Sequence, residues 1–429
     1  MRILVYTSPA RGHLYPVVPI MQELRRRGHA LALRTLGSQV ESMRALGIDA
    51  APVAAEVEAV ELDDYKARTV PAKGRRALAT FLARAQHEAP DIERAIDAHD
   101  PELLLIDVNC WGAATVAEAS RRPWAMYCPF LLMLPSRDAP AYGPGLAPPR
   151  GPLGRARDTV MRRLWDANID RMTVPALNAL RARSGLGGLA HFTDLLRRPP
   201  LLLSLTAEGF EYPRRDWPEN VRLVGAINWD PATLAPPWLA QMRDPLVLVT
   251  CSTERQHDRR LVHVALQALP PAGMSVLATT AAHDPDQFDP PPGSRVERLV
   301  PHGAVLERAA CVVCHGGMGI TQKALSAKVP VVVVPFGRDQ LETARRVEVA
   351  GAGVRLAPRR LTPERLAAAV QTAIACRPGA ARVSRACRLA GGAPAAADAI
   401  EARSAHRSSS RMNPAQTASS HTVGLVRHP

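Results

Sequence analysis

Two groups of residues in this chain have the types and spacing to do chemistry. The first is Pro9-Ala10-Arg11-Gly12-His13, a loop that follows an apolar strand and brings a histidine to the start of a helix. Asp107 ends the apolar run Leu103–Ile106, a second strand whose end can face the same cleft. A carboxylate behind an imidazole fixes its tautomer and stabilises the charge it gains on taking a proton, which is the work of a general base. The helix start at His13 is expected to disfavour the imidazolium and keep the ring neutral. The plainer reading of a lone loop histidine is a satisfied surface or capping residue.

The second group sits in the C-terminal half. Cys314-His315-Gly316-Gly317-Met318-Gly319-Ile320-Thr321 joins a strand to a helix. Glycines there let a ligand approach the backbone, unpaired amides at a helix start favour phosphate, and a histidine can donate to a phosphate oxygen. A tight glycine turn with a capping histidine is the alternative. Pro335-Phe336-Gly337-Arg338-Asp339-Gln340 follows the next strand. Asp and Gln side by side can hydrogen-bond the vicinal hydroxyls of a sugar, although Asp339 could equally cap the helix it opens.

Other chemistries are excluded. The Pro9–His13 loop lacks G-x-G-x-x-G, and no G-x-x-x-x-G-K-[ST] occurs, which argues against a dinucleotide on that loop and against a P-loop NTPase. Cys311-Val312-Val313-Cys314-His315 matches the haem-attachment pattern, but it closes an apolar run that reads as a buried strand. The seven cysteines are dispersed and expected to be reduced thiols. No second metal-spaced pair appears, so neither a redox dithiol nor a zinc site is expected there.

These residues need a scaffold of strand ends and helix starts. Apolar strands are expected at Arg2–Thr7, Ala30–Leu36, Glu102–Asp107 and Trp124–Pro129, with helices at Tyr15–Arg27, Arg75–Ala98 and Trp111–Ser120. A second alternating series runs from Leu246 to Cys376. The fold class is therefore α/β, two doubly wound Rossmann-like domains facing a central cleft. The expected division is 1–215 for the N-terminal domain, 216–245 for a proline-punctuated linker, 246–403 for the C-terminal domain, and 404–429 for a disordered tail. The Pro- and Gly-rich stretch Pro135–Pro152 is long for an ordinary connection, a length that suits a functional or a disordered loop.

Of 429 residues, 47% are hydrophobic, enough for two cores, and no apolar run reaches the ~20 residues of a membrane span. With no secretory segment at the N-terminus, a soluble, cytoplasmic protein is expected. The net charge of +14 comes from 54 basic side chains of which only four are lysine, scattered over helix faces with aromatics at 4%. That pattern lacks the clustered stripe of a nucleic-acid surface.

The order and spacing of these motifs resemble a known family. Pro9-Ala10-Arg11-Gly12-His13-Leu14-Tyr15-Pro16, Arg27-Gly28-His29, Val300-Pro301-His302, His315-Gly316-Gly317-Met318-Gly319, Gly337-Arg338-Asp339-Gln340 and Gly351-Ala352-Gly353 together look like a GT-B-fold, family 1 glycosyltransferase of the bacterial natural-product type. The resemblance covers Met1 to about Ala402. It implies inverting, metal-independent transfer of a hexose or deoxyhexose from a UDP- or dTDP-linked donor to a hydroxyl of a hydrophobic acceptor. It also implies His13 as base with Asp107 behind it. Leu299 and Val300 would lie near the nucleobase, Ser252, Thr253, His315, Gly316, Gly317 and Gly319 near the diphosphate, and Asp339 and Gln340 on the sugar. The acceptor walls are expected to include Phe81, Trp111, Phe130 and Met133. The chain departs from the family at Ile320, where Ser or Thr is common, and at Lys323, where Glu is common. Thr321 is the candidate to supply the missing hydroxyl, and Lys323 to approach the diphosphate. Alternatives are a sugar-nucleotide epimerase, a lipid glycosyltransferase, or a non-catalytic auxiliary partner of a transferase.

Overall fold

The computed structural model describes residues 1–231 and 235–411. Its strands are short, and the central ones are apolar and buried on both faces, the composition that parallel sheets covered by helices demand. The first seven are β1 (Arg2–Tyr6), β2 (Ala30–Thr35), β3 (Asp49–Pro52), β4 (Leu103–Asp107), β5 (Trp124–Cys128), β6 (Leu202–Ser204) and β7 (Val221–Leu223). They form one parallel sheet in the order β3-β2-β1-β4-β5-β6-β7. The remaining six are β8 (Leu246–Thr250), β9 (Ser275–Thr279), β10 (Arg295–Glu297), β11 (Ala309–Cys314), β12 (Val331–Val333) and β13 (Gly353–Arg355). They form a second parallel sheet, β10-β9-β8-β11-β12-β13.

Each sheet reverses its winding once, between β1 and β4 in the first and between β8 and β11 in the second. At such a point the chains leaving the two strands diverge and open a crevice beyond the carboxyl ends. His13 and Asp107 lie at the first reversal, and Ser252 and His315 at the second. Helix packing keeps these ends in place. The helix Val70–His99 approaches the helix Trp111–Ala119 so closely at Gly112 that a Cβ there would sit 2.1 Å from the Ala85 carbonyl oxygen.

The structure differs from the sequence reading in several places. Residues 151–183, given no element, form one long helix, Gly151–Arg183. The stretch 216–245 is not all connection, because β7 completes the edge of the first sheet. The helix Gly392–Arg411 begins within the expected C-terminal domain but returns to the first one. There Ala396, Ala397 and Ile400 join the core beneath the helix Val18–Arg26, and Arg27 and His29 pair with Glu401 at 2.8 and 2.7 Å. The motif Arg27-Gly28-His29 thus holds the C-terminal strap. That helix also runs into the stretch expected as a tail; the rest of the tail, 412–429, lies outside the described residues.

The two halves meet through buried contacts. Leu131, Ala207 and Phe210 of the first half join the core of the second. Glu211 accepts from Arg346 at 2.8 Å and Arg214 at 3.2 Å, with all three side chains at most 3% exposed. In the Pro135–Pro152 loop, the Gly143 and Gly145 amides both donate to Glu342 at 2.8 Å. That loop is therefore a fixed bridge between the halves.

Candidate active site

His13 lies in a helical turn, Arg11–Leu14, rather than in the loop expected from sequence. Its Nδ1 is 2.8 Å from Asp107 Oδ2 and 3.1 Å from Oδ1, and the Asp107 side chain is wholly buried. An ionised carboxylate can only accept, so Nδ1 carries the proton and Nε2 is left with its lone pair. Asp107 is held in turn by the Asn109 amide at 2.8 Å, and the Asn109 side-chain nitrogen stands 3.4 Å from His13 Nε2. The Phe130 ring meets the imidazole edge-on at 5.7 Å. Burial works against the imidazolium, but the charge and hydrogen bond of Asp107 outweigh it, helped by Glu254 and Asp339 from the opposite wall. The His13 pKa is therefore raised, opposite to the expectation from the helix start. A single helical turn has little dipole to set against a buried carboxylate in contact.

On the opposite wall, β8 and β11 pair Thr250 with Cys314, so the segments after them emerge side by side. His315 is 6% exposed, burial lowers its pKa, and its Nδ1 makes no hydrogen bond among the described residues. Gly316 adopts φ +94°, and a Cβ at Gly317 would sit 2.3 Å from His315 Nε2. The helix Met318–Ser326 starts at Gly317 without any side-chain cap, and Gly319 faces open space. A buried imidazole with a spare nitrogen, beside uncapped helix amides, is a site for a phosphate.

Ser252 is buried, with its amide on Asp258 at 2.6 Å and its hydroxyl accepting from Gln256 at 3.1 Å; Thr253 is exposed. Asp258 also accepts from His283 at 2.8 Å, and with Cys251 these residues place three ligand-type atoms within 4.8 Å of one another. Leu299 is 55% exposed while Val300 is 8% exposed, so only the former presents a face to solvent.

Asp339 is half-buried, and burial raises its pKa. Gln340 is spent differently than expected. Its side-chain oxygen accepts from the Phe336 and Gly337 amides at 2.7 and 3.0 Å, and its nitrogen donates to Gln256 at 2.6 Å. It shapes the loop rather than offering itself to a ligand. Thr321 does not supply a free hydroxyl, because it turns inward to the Gly317 carbonyl at 2.9 Å. Lys323 turns away to pair with Asp230 and with the Trp229 carbonyl at 3.2 Å.

On the expected acceptor side, Met133 lines a cavity of about 310 Å³ with Trp165, Ile169, Phe192, Asp166 and His191. Phe130, whose ring meets His13, packs against the core cluster that includes Ile169 and Phe192. Trp111 is corrected to a core residue: it is 2% exposed, wedged edge-on between Phe81 and Phe192 at 5.6 and 5.2 Å. Phe81 is half-buried behind it. Sequence reading missed Asn109, two positions after Asp107, and Glu254, two after Ser252. It also missed Trp165, which needed the unrecognised long helix.

Residues 267–400 match the family model of the erythromycin biosynthesis protein CIII-like C-terminal domain. Over 390 residues the chain is 33% identical to 4'-demethylrebeccamycin synthase of Lentzea aerocolonigenes, covering 87% of this chain and 91% of the relative. The crystal structure of the kitacinnamycin glycotransferase superposes with a TM-score of 0.71 at 23% identity, over 94% of this chain and 98% of that one. The glycosyltransferase VinC in complex with dTDP superposes with a TM-score of 0.69 at 20% identity, over 95% of this chain and all of the other.

Proposed function

The chain belongs to the glycosyltransferases of natural-product biosynthesis that include 4'-demethylrebeccamycin synthase, and we propose that it is an inverting, metal-independent enzyme that glycosylates a hydroxyl of a hydrophobic small molecule. Its two facing Rossmann-like units are the GT-B fold. The donor in this reading is a UDP- or dTDP-linked hexose or deoxyhexose. The dTDP held by a structural relative supports that choice. No helix among the described residues is long and apolar enough to cross a membrane; we place the enzyme in the cytoplasm.

One observation carries the reading: an imidazole backed by a buried carboxylate at one winding reversal faces a buried imidazole and uncapped helix amides at the other. His13 Nε2 takes the acceptor proton as the oxygen attacks the anomeric carbon, and Asp107 stabilises the imidazolium that results. The departing diphosphate gathers charge on its oxygens. The Gly317–Gly319 amides and the His315 ring can donate to it there, so this chain's own dipoles meet the charge as it develops. Asp339 accepts from sugar hydroxyls, and the cavity beside Met133 takes the acceptor body. A single displacement by a single base inverts the anomeric centre.

The test is transfer from UDP-glucose and dTDP-glucose to a panel of hydroxylated polycyclic aromatics and macrolactones, run in EDTA. Product of opposite anomeric configuration supports the reading. Nucleotide release without any acceptor product would point to an epimerase or hydrolase instead.

A further inference from the structure

The donor loop of the second half is gripped from the first half at two points. Asp64 accepts from Arg338 Nη2 at 2.7 Å and Nε at 2.9 Å, a side-on bidentate pair whose carboxylate is 3% exposed. Lys73 Nζ donates to the Phe336 carbonyl at 2.8 Å. Its stem crosses Gly337, where a Cβ would stand 3.1 Å from Lys73 Cδ. At the Asp64 grip, Arg338 has φ +54°, a left-handed conformation that a residue with a Cβ rarely adopts. The next residue is Asp339, which acts on His13 from across the cleft.

Within the second half, the turn that carries Arg338 is closed by the Gln340 amide, which donates to the Gly337 carbonyl at 3.2 Å. The hydrogen bonds of Gln340 to Phe336 and Gly337 shape the loop before it, and those to Gln256 lie behind it. The side-on fork with Asp64 restrains the Arg338 side chain, and it comes from the short helical turn Asp64–Lys66 of the opposite half. A bidentate guanidinium–carboxylate pair fixes orientation as well as distance.

We propose that Asp64 is a positioning residue for sugar transfer: by gripping Arg338 across the cleft it braces the left-handed turn that aims Asp339 at the sugar and His13. The donor loop is then correctly shaped only when the two halves are closed on each other. This rests on the reading of Asp339 as a sugar contact made above. It assigns no chemistry to Asp64 or Arg338, which act through their neighbour.

The experiment compares wild type, Asp64→Asn, Asp64→Ala and the exchanged pair Asp64→Arg/Arg338→Asp in the transfer assay, with varied donor and acceptor. UDP and dTDP binding and Tm are measured alongside. Misplacing a reacting group by about 1 Å can cost about 10²-fold. Asp64→Asn and Asp64→Ala are expected to lower kcat/KM for the donor by ~10–10²-fold. The Kd of the bare nucleoside diphosphate should stay unchanged, because its contacts lie at His315 and Gly317. The exchanged pair should recover part of the loss. Unchanged donor kcat/KM, or a loss shared equally by nucleotide Kd and Tm with no recovery in the exchanged pair, overturns the proposal. Failure of the underlying reading is seen separately, as wild-type protein that binds nucleotide but transfers no sugar.

Discussion

Asp107 and His13, 94 positions apart in the chain, meet at 2.8 Å because β1 and β4 are neighbours at a winding reversal. The carboxylate is fully buried and the imidazole mostly so. This pairing raises the His13 pKa above its ordinary value of 6.5, so the ring is charged over more of the physiological range than a free histidine. A general base must be neutral to work. The acidic limb of the kcat/KM profile should therefore have its midpoint above 6.5, with activity rising as pH rises through it. Asp107→Asn should move that limb toward lower pH and reduce kcat by about 10²–10⁴-fold, since the amide no longer holds the productive tautomer. A pH–rate series on both proteins checks this.

Gly317→Ala is expected to fold and to lose nucleotide. Its Cβ would sit 2.3 Å from His315 Nε2, so the imidazole must leave its pocket beside the helix start. Calorimetry should read at least a ~10-fold weaker Kd for UDP or dTDP, as one charge-assisted donor is worth about 1.5 kcal/mol or more.

Much of this geometry was legible in the sequence, because strand ends and glycine turns announce themselves locally. His13, Asp107, His315 and Asp339 all follow apolar runs that read as strands in the sequence. What was hidden depended on distant partners. Asp64 and Arg338 are 274 positions apart, and nothing near either one marks the pair. The helix Gly151–Arg183 carries Pro175 within it and buries only scattered positions such as Ile169, Leu177 and Leu180, so it shows no sustained apolar stripe. Gln340 sits where a sugar ligand was expected, and only the folded loop reveals that its amide is already spent.

The Glu211–Arg346 pair should be a main tie between the halves. Both side chains are at most 2% exposed, and Arg346 also lies over the Tyr212 ring at 4.2 Å. Removing one partner leaves a buried charge, so Arg346→Met should destabilise by about 3–5 kcal/mol. Burial alone would raise the Glu211 pKa, but Arg346 and Arg214 hold it below the ordinary 4.5. The unfolded chain thus binds the proton first, and this stabilisation is present above 4.5 and lost as pH falls through the lowered value. Denaturant midpoints between pH 3 and pH 7 should fall with acid in the wild type, and less steeply in Glu211→Gln.

Glu88 should show the opposite slope. It is 1% exposed beneath the start of the helix Trp111–Ala119, accepting from the Gly112 amide at 2.9 Å. Burial pushes its pKa from 4.5 up to about 8. The folded protein therefore binds the proton more tightly than the unfolded chain, and stability falls as pH rises from 4.5 through about 8. Glu88→Gln keeps an acceptor for Gly112 without the charge. It should be more stable than wild type at pH 8.5 and flatten the pH dependence of Tm.

The most direct measurement is single-turnover transfer in EDTA, with preloaded dTDP- or UDP-glucose and an acceptor from the panel that accepts sugar, comparing wild type with His13→Ala. Wild type should form product without added Mg²⁺, and His13→Ala should be slower by about 10²–10⁴-fold while binding the donor equally well. Product formed only after Mg²⁺ is added, or a His13→Ala rate equal to wild type, would contradict a metal-independent transfer driven by the His13–Asp107 base.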